Sequence, residues 1–268
     1  MKNMLELRNV CKTFNQGTIN EKHALNEINL TMQEGDFVTV IGGNGAGKST
    51  VLNAIAGVWP IDSGAIIVDD KNITGLPDFK RAPYIGRVFQ DPMMGTAPDM
   101  QIDENLALAA RRGKPRSLRW GVTKKEQEEY RRLLKDLDLG LEDRLTQKVG
   151  VLSGGQRQAL TLLMASMQKP KLLLLDEHTA ALDPKTAKKV LDLTRTIVER
   201  NRLTALMVTH NMRDAIQTGN RLIMMDHGHI IFEVHGEEKK RLTVDDLLKK
   251  FSEVSGEEFV DDKALLSR

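Results

Sequence analysis

The stretch "GGNGAGKST", Gly42 to Thr50, places a lysine and two hydroxyls directly behind a glycine-rich turn. Gly42, Gly43, Gly45 and Gly47, with Asn44 and Ala46 between them, allow backbone N–H groups to turn inward around phosphate oxygens. The following helix start adds partial positive charge. Gly42, Gly47, Lys48 and Ser49 meet the spacing G-x-x-x-x-G-K-S, in which Lys48 reaches the β- and γ-phosphates and the Ser49 hydroxyl ligates Mg²⁺. A second stretch, "KLLLLDEHTAALDP" from Lys171 to Pro184, ends an apolar run on two adjacent acids. Alone, such acids are equally compatible with solvated groups at a strand mouth. Beside a phosphate loop, Asp176 suits Mg²⁺ and Glu177 suits the polarisation of an attacking water.

The elements that must position these groups follow from periodicity. "DFVTVIGGNGAGKSTVLNAIAG" reads as a buried strand, the glycine turn, and a helix stopping near Gly57. Residues 4–34 hold two strand-like pieces, and in the second Ile28, Leu30 and Met32 alternate with polar residues, as in an antiparallel, half-exposed region. After the strand "IGRVFQ", residues 91–150 read as helical with polar loops; "TKKE" at Thr123–Glu126 fits a capping box ahead of Tyr130, Leu133, Leu134 and Leu137. A helix from Ser153 feeds the leucine strand, and Asp183 and Pro184 start another helix as N-cap and N1. "LTALMVTH", a hairpin around "IMMDHGHII" and an amphipathic helix with Val244, Leu247, Leu248 and Phe251 follow. Alternating strands and helices predict an α/β fold with a mainly parallel sheet covered on both faces.

Composition narrows the function classes. The 268 residues are 40% hydrophobic, enough for a substantial core, and the formal net charge of +2 gives no global field for nucleic acid. One cysteine, Cys11, excludes an internal disulfide framework and suits a reducing compartment. No apolar run approaches the ~20 residues that span a bilayer, and the N-terminus lacks a signal pattern, so a membrane role is expected to come through a partner.

"LSGGQ" at Leu152–Gln156, in order with the phosphate loop, Gln90, "DE", "ALDP" and His210, resembles the ATP-binding cassette ATPases from about Met4 to Phe232. The resemblance implies a RecA-like core with an antiparallel β region (1–90 and 151–232), a helical signature subdomain (91–150), and a C-terminal helix and tail (233–268). It implies that Phe14 stacks on adenine, that Gln90 contacts the metal or the attacking water, that Asp183 lies in the loop crossing a dimer interface, and that His210 bonds the γ-phosphate. It further implies a head-to-tail homodimer in which Ser153, Gly154, Gly155 and Gln156 of one chain complete the ATP site of the other. ATP and Mg²⁺ are then the bound groups, and the implied catalytic set is Glu177, His210 and Gln90, with Ser49, Gln90 and Asp176 on the metal.

The expected partners are membrane permease chains and an extracytoplasmic solute-binding protein, with no nucleic acid. The expected location is the cytoplasmic face of the cell membrane. Met93, Met94 and Met100 offer a flexible apolar surface for a permease helix, or are ordinary core residues. "RRGKPRSLRW", Arg111–Trp120, is a solvated basic loop or a contact for anionic headgroups. His227, His229 and His235 flank a turn and read as surface residues. His178 replaces the proline usual in the family, as a polar turn residue or as a tuner of Glu177. The "DEHTAALDP" variant is similar to a subgroup of bacterial importer ATPases, some assigned to aromatic amino-acid uptake. A cytosolic non-transport cassette ATPase and an exporter subunit are the alternatives; the ~60 residues between Gln90 and Leu152 leave no room for the long coiled coil of DNA-repair members.

Overall fold

The computed structural model describes residues 2–114 and 121–255. Its elements in chain order begin with β1 (Asn3–Phe14), β2 (Lys22–Gln33), β3 (Phe37–Gly42), α1 (Lys48–Ala56), β4 (Ser63–Val68), β5 (Lys71–Asn72) and α2 (Asp78–Arg81). They continue with β6 (Ile85–Val88), α3 (Ile102–Ala110), α4 (Lys124–Lys135), α5 (Gly154–Ser166), β7 (Leu172–Asp176) and α6 (Pro184–Asn201). The last are β8 (Ala205–Val208), α7 (Met212–Gln217), β9 (Arg221–Asp226), β10 (His229–His235), α8 (Gly236–Arg241) and α9 (Val244–Ser255). The chain divides into two compact units, one from the residues up to Arg81 and from Arg202 onward, the other from Ala82 to Asn201.

In the first unit, β2, β1, β4 and β5 form an antiparallel sheet in that order. Leu5 and Leu7 face Met32 and Leu30 on one side and Val68 and Ile66 on the other, and all six are buried. This is the period-two face expected of residues 4–34; the β4–β5 hairpin, whose second strand is two residues long, carries no such period. The phosphate-loop strand β3 runs parallel to both β8 and β9, and β10 closes that edge antiparallel to β9. Every residue of "FVTVIG" is buried, with no alternation, as in a parallel strand whose two faces are both covered. Thr39, the polar member, donates its hydroxyl to Ala215 O at 3.0 Å. Leu247 and Phe251 of α9 pack with Met212, Ala215, Ile41 and Met224, so the terminal amphipathic helix covers the ends of β3 and α7.

In the second unit, β6 and β7 pair in parallel, Arg87 opposite Leu174 and Val88 opposite Leu175. Ile102, Leu106, Tyr130, Leu134 and Leu137 join Leu160 and Leu163 of α5 in one core. Thr123 caps α4 with the reciprocal Glu126 bonds that "TKKE" predicts. Part of the basic stretch (115–120) and the acidic tail beyond Ser255 lie outside the described residues.

One buried cation secures the far end of α1. Arg81 is 2% exposed, and its guanidinium donates to Ala54 O (2.7 Å), Ile55 O (2.8 Å), Leu76 O (2.7 Å) and Thr74 O (2.8 Å). The first two carbonyls end the helix, where a cation also complements the dipole. Arg81→Met would strip donors from four carbonyls, at least two of them deeply buried, at a cost of about 3 kcal/mol. Thermal unfolding should then shift down by roughly 5–10 °C; an unchanged midpoint would show that the carbonyls find other donors.

Candidate functional site

β3 delivers the chain to Gly42 and α1 takes it up at Lys48, so the intervening loop must turn inside the first unit. Space dictates the glycines at its ends. A Cβ on Gly42 would lie 2.2 Å from Met225 O, and one on Gly47, at φ +100°, 2.5 Å from Ala24 O. Lys48 is 7% exposed and donates Nζ to Gly42 O (2.8 Å) and Gly43 O (2.9 Å), which braces the loop around its ammonium. From outside, Gly228 N of the β9–β10 turn donates to Ala46 O at 3.1 Å, while Gly228 O accepts from Asn26 N at 2.9 Å. Asn44, Gly45 and Ser49 are exposed and Thr50 is half-buried, so the tip of the loop and the first helical hydroxyl are open to a ligand.

Three further residues of this unit belong to the expected set or extend it. His210 is exposed two residues past β8, between Thr209, whose N donates to Val40 O at 3.1 Å, and Asn211, whose Oδ1 caps α7 by accepting from Asp214 N at 3.0 Å. Phe14 ends β1 with its ring 5.0 Å from Trp59 in an edge-on arrangement and Lys12 Nζ 5.5 Å above it. Lys22, paired in register with Phe14, brings Nζ within 3.0 Å of the position a Gly45 Cβ would take. No motif spacing flags Lys22; antiparallel pairing places it beside the loop.

In the second unit, Gln90 is exposed just past β6, and α5 holds the segment that carries it. Gln158, fully buried, donates Nε2 to Phe89 O at 3.0 Å. Arg157 contacts the Met93 sulfur and donates to Val149 O, Gly150 O and Leu152 O. A Cβ on Gly95 would lie 2.4 Å from the Thr161 methyl. Residues 89–95 therefore lie along the face of α5 that carries Arg157, Gln158 and Thr161. Met93 and Met94 remain exposed, and Met100 is half-buried.

The same helix begins with a capping box, Ser153 Oγ accepting from Gln156 N and Gln156 Oε1 from Ser153 N. Ser153 and Gly154 are exposed, while Gly155 abuts α6 so closely that a Cβ would lie 2.2 Å from Thr186 Cγ2. Asp183 caps α6, accepting from Thr186 N at 3.1 Å, and hydrogen bonds from Thr186 hold its carboxyl below the usual range.

Asp176 ends β7 with Oδ2 3.3 Å from Arg87 Nη2. Glu177 follows in the left-handed region at φ +42°, which costs a non-glycine residue about 1 kcal/mol and is common where side-chain direction matters more than backbone ease. His178 is 2% exposed, and its Nε2 lies 2.9 Å from Thr194 Oγ1. That hydroxyl donates its one proton to Val190 O at 2.8 Å, so Nε2 carries the imidazole proton and donates. Burial pushes the His178 pKa down to about 4. His178 is thus a neutral core residue tying the acid loop to α6, which accounts for it without a link to Glu177.

The donors suit the expected ligands. Hydroxyl, amide and carboxylate oxygens from Ser49, Gln90 and Asp176 are the hard donors Mg²⁺ prefers, and a closed glycine cradle at a helix start suits phosphate. Ser49, Lys48 and His210 belong to the first unit; Gln90, Asp176, Glu177 and the 152–156 segment belong to the second. His227, His229 and His235 are exposed, with His227 Nδ1 2.8 Å from Asp226 Oδ2.

Residues 25–180 match the family model described as "ABC transporter". The chain is 45% identical, over 92% of its length and 98% of the relative's, to a "Tyrosine transport ATP-binding protein" of Clostridioides difficile. It is 33% identical to a "Xylose/arabinose import ATP-binding protein" of Sulfolobus acidocaldarius, covering 94% of this chain and 96% of that one. A "Spermidine/putrescine import ATP-binding protein" of Haemophilus influenzae is 36% identical over 85% of this chain, which spans 57% of that relative. Among solved structures, a dimeric post-hydrolysis cassette bound to ADP and Pi is 32% identical with a TM-score of 0.73, covering 87% of this chain and 98% of that one. The ADP conformation of another cassette is 27% identical with a TM-score of 0.74, covering 96% of this chain and 100% of that one.

Acid should reveal the buried imidazole. With the His178 pKa about 4 in the fold and 6.5 in the unfolded chain, the unfolded state binds the proton first as pH falls. Stability present above pH ~6.5 is therefore lost down to pH ~4, by at most about 3 kcal/mol. Unfolding free energies of wild type and His178→Leu, compared from pH 7 to 4, should show the wild type losing this increment and the variant not; parallel slopes would refute a buried neutral His178.

Proposed function

Because the chain belongs to the ABC transporter family of ATP-binding proteins, we propose that it is the energy-coupling subunit of a membrane importer of a small solute. It is an ATPase of mixed α/β P-loop fold. The importer reading is supported by the relatives named for tyrosine, xylose/arabinose and spermidine/putrescine transport. An amino acid is the proposed solute, supported by the 45% identity to the tyrosine relative over nearly its whole length. The subunit would work as a homodimer bound peripherally to permease chains at the cytoplasmic face of the membrane, fed by an extracytoplasmic binding protein. No helix among the described residues is long and apolar enough to cross a membrane, in keeping with separate permease chains. Exposed Met93 and Met94 suit a permease helix.

The catalytic assignment rests on the open phosphate loop braced by Lys48, in a chain whose β7 ends on an acid pair. In this reading the amides of Gly43, Asn44, Gly45, Ala46, Gly47 and Lys48, with the Lys48 ammonium and the Ser49 and Thr50 hydroxyls, bind the phosphates of ATP, and Phe14 stacks on its base. Mg²⁺, held by Ser49, Gln90 and Asp176, would neutralise phosphate charge and polarise the leaving group. Glu177 accepts a proton from the attacking water, and Gln90 and His210 orient the water and the γ-phosphate. The exposed Ser153 and Gly154, with Gly155 and Gln156 at a helix start, close the site of the second copy, and Asp183 lies along the contact between copies. ATP then joins two subunits, and loss of the γ-phosphate loosens them.

The Glu177→Gln variant tests this reading. It should bind ATP and persist as a dimer on a sizing column while turnover falls by about two orders of magnitude or more. Tagged in its own host, that trapped dimer should bring a multi-span permease out of solubilised membranes. Near-normal hydrolysis would remove Glu177 as the base, and recovery only from the soluble fraction with non-membrane partners would overturn the transporter.

A further inference from the structure

We propose that Arg87 is the standing counter-ion of Asp176 and sets the Mg²⁺ concentration at which the protein takes up its nucleotide. The inference rests on the reading of Asp176 as the metal carboxylate and assigns a role to a residue outside every motif in the chain.

Arg87 lies on β6 opposite Leu174 of β7, and Asp176 stands two residues further along β7. Side chains two apart share one face of a sheet, which puts these groups side by side. The guanidinium lies with Nη2 3.3 Å from Asp176 Oδ2 and Cζ 4.5 Å from the centre of the Phe89 ring. Arg87 and Asp176 side chains are each only 15% exposed, so water screens the pair weakly. Ring and carboxylate together fix the direction of a long side chain, and the Phe89 carbonyl is itself fixed by Gln158.

A half-buried carboxylate beside a fixed cation differs from a bare one in two respects. Its charge is compensated before metal arrives, so the fold is not strained by an isolated buried anion. Its attraction for a divalent ion is also weakened, because the metal must approach a resident positive charge. Mg²⁺ dehydrates reluctantly and normally arrives with nucleotide phosphates. The phosphates add the negative charge that offsets the guanidinium. Arg87 thereby favours Mg²⁺ carried on ATP over free Mg²⁺. It is a positioning residue, acting through Asp176.

The test is equilibrium binding of a fluorescent N-methylanthraniloyl ATP to the purified full chain, titrated with MgCl₂ from micromolar to millimolar. Arg87→Leu should lower the half-saturating Mg²⁺ by about threefold or more, while Arg87→Lys, which keeps the charge, should stay near wild type. An unchanged or raised midpoint in Arg87→Leu overturns the proposal. If Arg87→Leu is insoluble, Arg87→Gln removes the charge while keeping donors and is judged by the same criterion. Asp176→Ala separates the two readings. If it leaves the wild-type midpoint unmoved, the metal assignment of Asp176 fails; if it raises the midpoint while neutral Arg87 variants do not move it, only the role of Arg87 fails.

Discussion

Backbone amides can bind a polyphosphate only if a loop turns them inward and something keeps it from collapsing. Here the brace is the Lys48 ammonium across Gly42 O and Gly43 O. Around it the chain leaves room for hydrogen at Gly42 and Gly47, with Met225 O and Ala24 O closing the two sides. Much of the first unit serves that loop. β3 is fixed between β8 and β9, the β9–β10 turn bonds the loop at Ala46, and Arg81 ties down the far end of the helix that begins with Lys48.

The second unit is organised around α5. Its first turn presents Ser153 and Gly154 to solvent, and its next turn grips the segment bearing Gln90 through Arg157, Gln158 and Thr161. One helix thus carries both the exposed Ser153 start and the contacts that hold residues 89–95.

The parts legible in the sequence are those written in local backbone chemistry. The glycine loop, the capping box at Thr123, the helix starts at Ser153 and Asp183–Pro184 and the all-apolar strands stand where periodicity and capping rules put them. What escaped depends on reach across the fold. The β4–β5 hairpin is too short for a clear period, and Arg81, Arg87 and Lys22 act on groups that neighbouring strands or helices bring to them. His178 shows the other limit: a histidine after two acids reads as a catalytic neighbour or a turn residue until burial and Thr194 make it a core hydrogen-bond donor.

If the Lys48 loop holds the phosphates, calorimetric titration of ATP with Mg²⁺ into wild type and Lys48→Ala will register the loss of the ammonium. Binding should be at least about tenfold weaker in the variant, ~1.4 kcal/mol, with the fold retained by circular dichroism. An unchanged dissociation constant in a folded variant would contradict it, because the ammonium would then brace the loop without meeting the nucleotide.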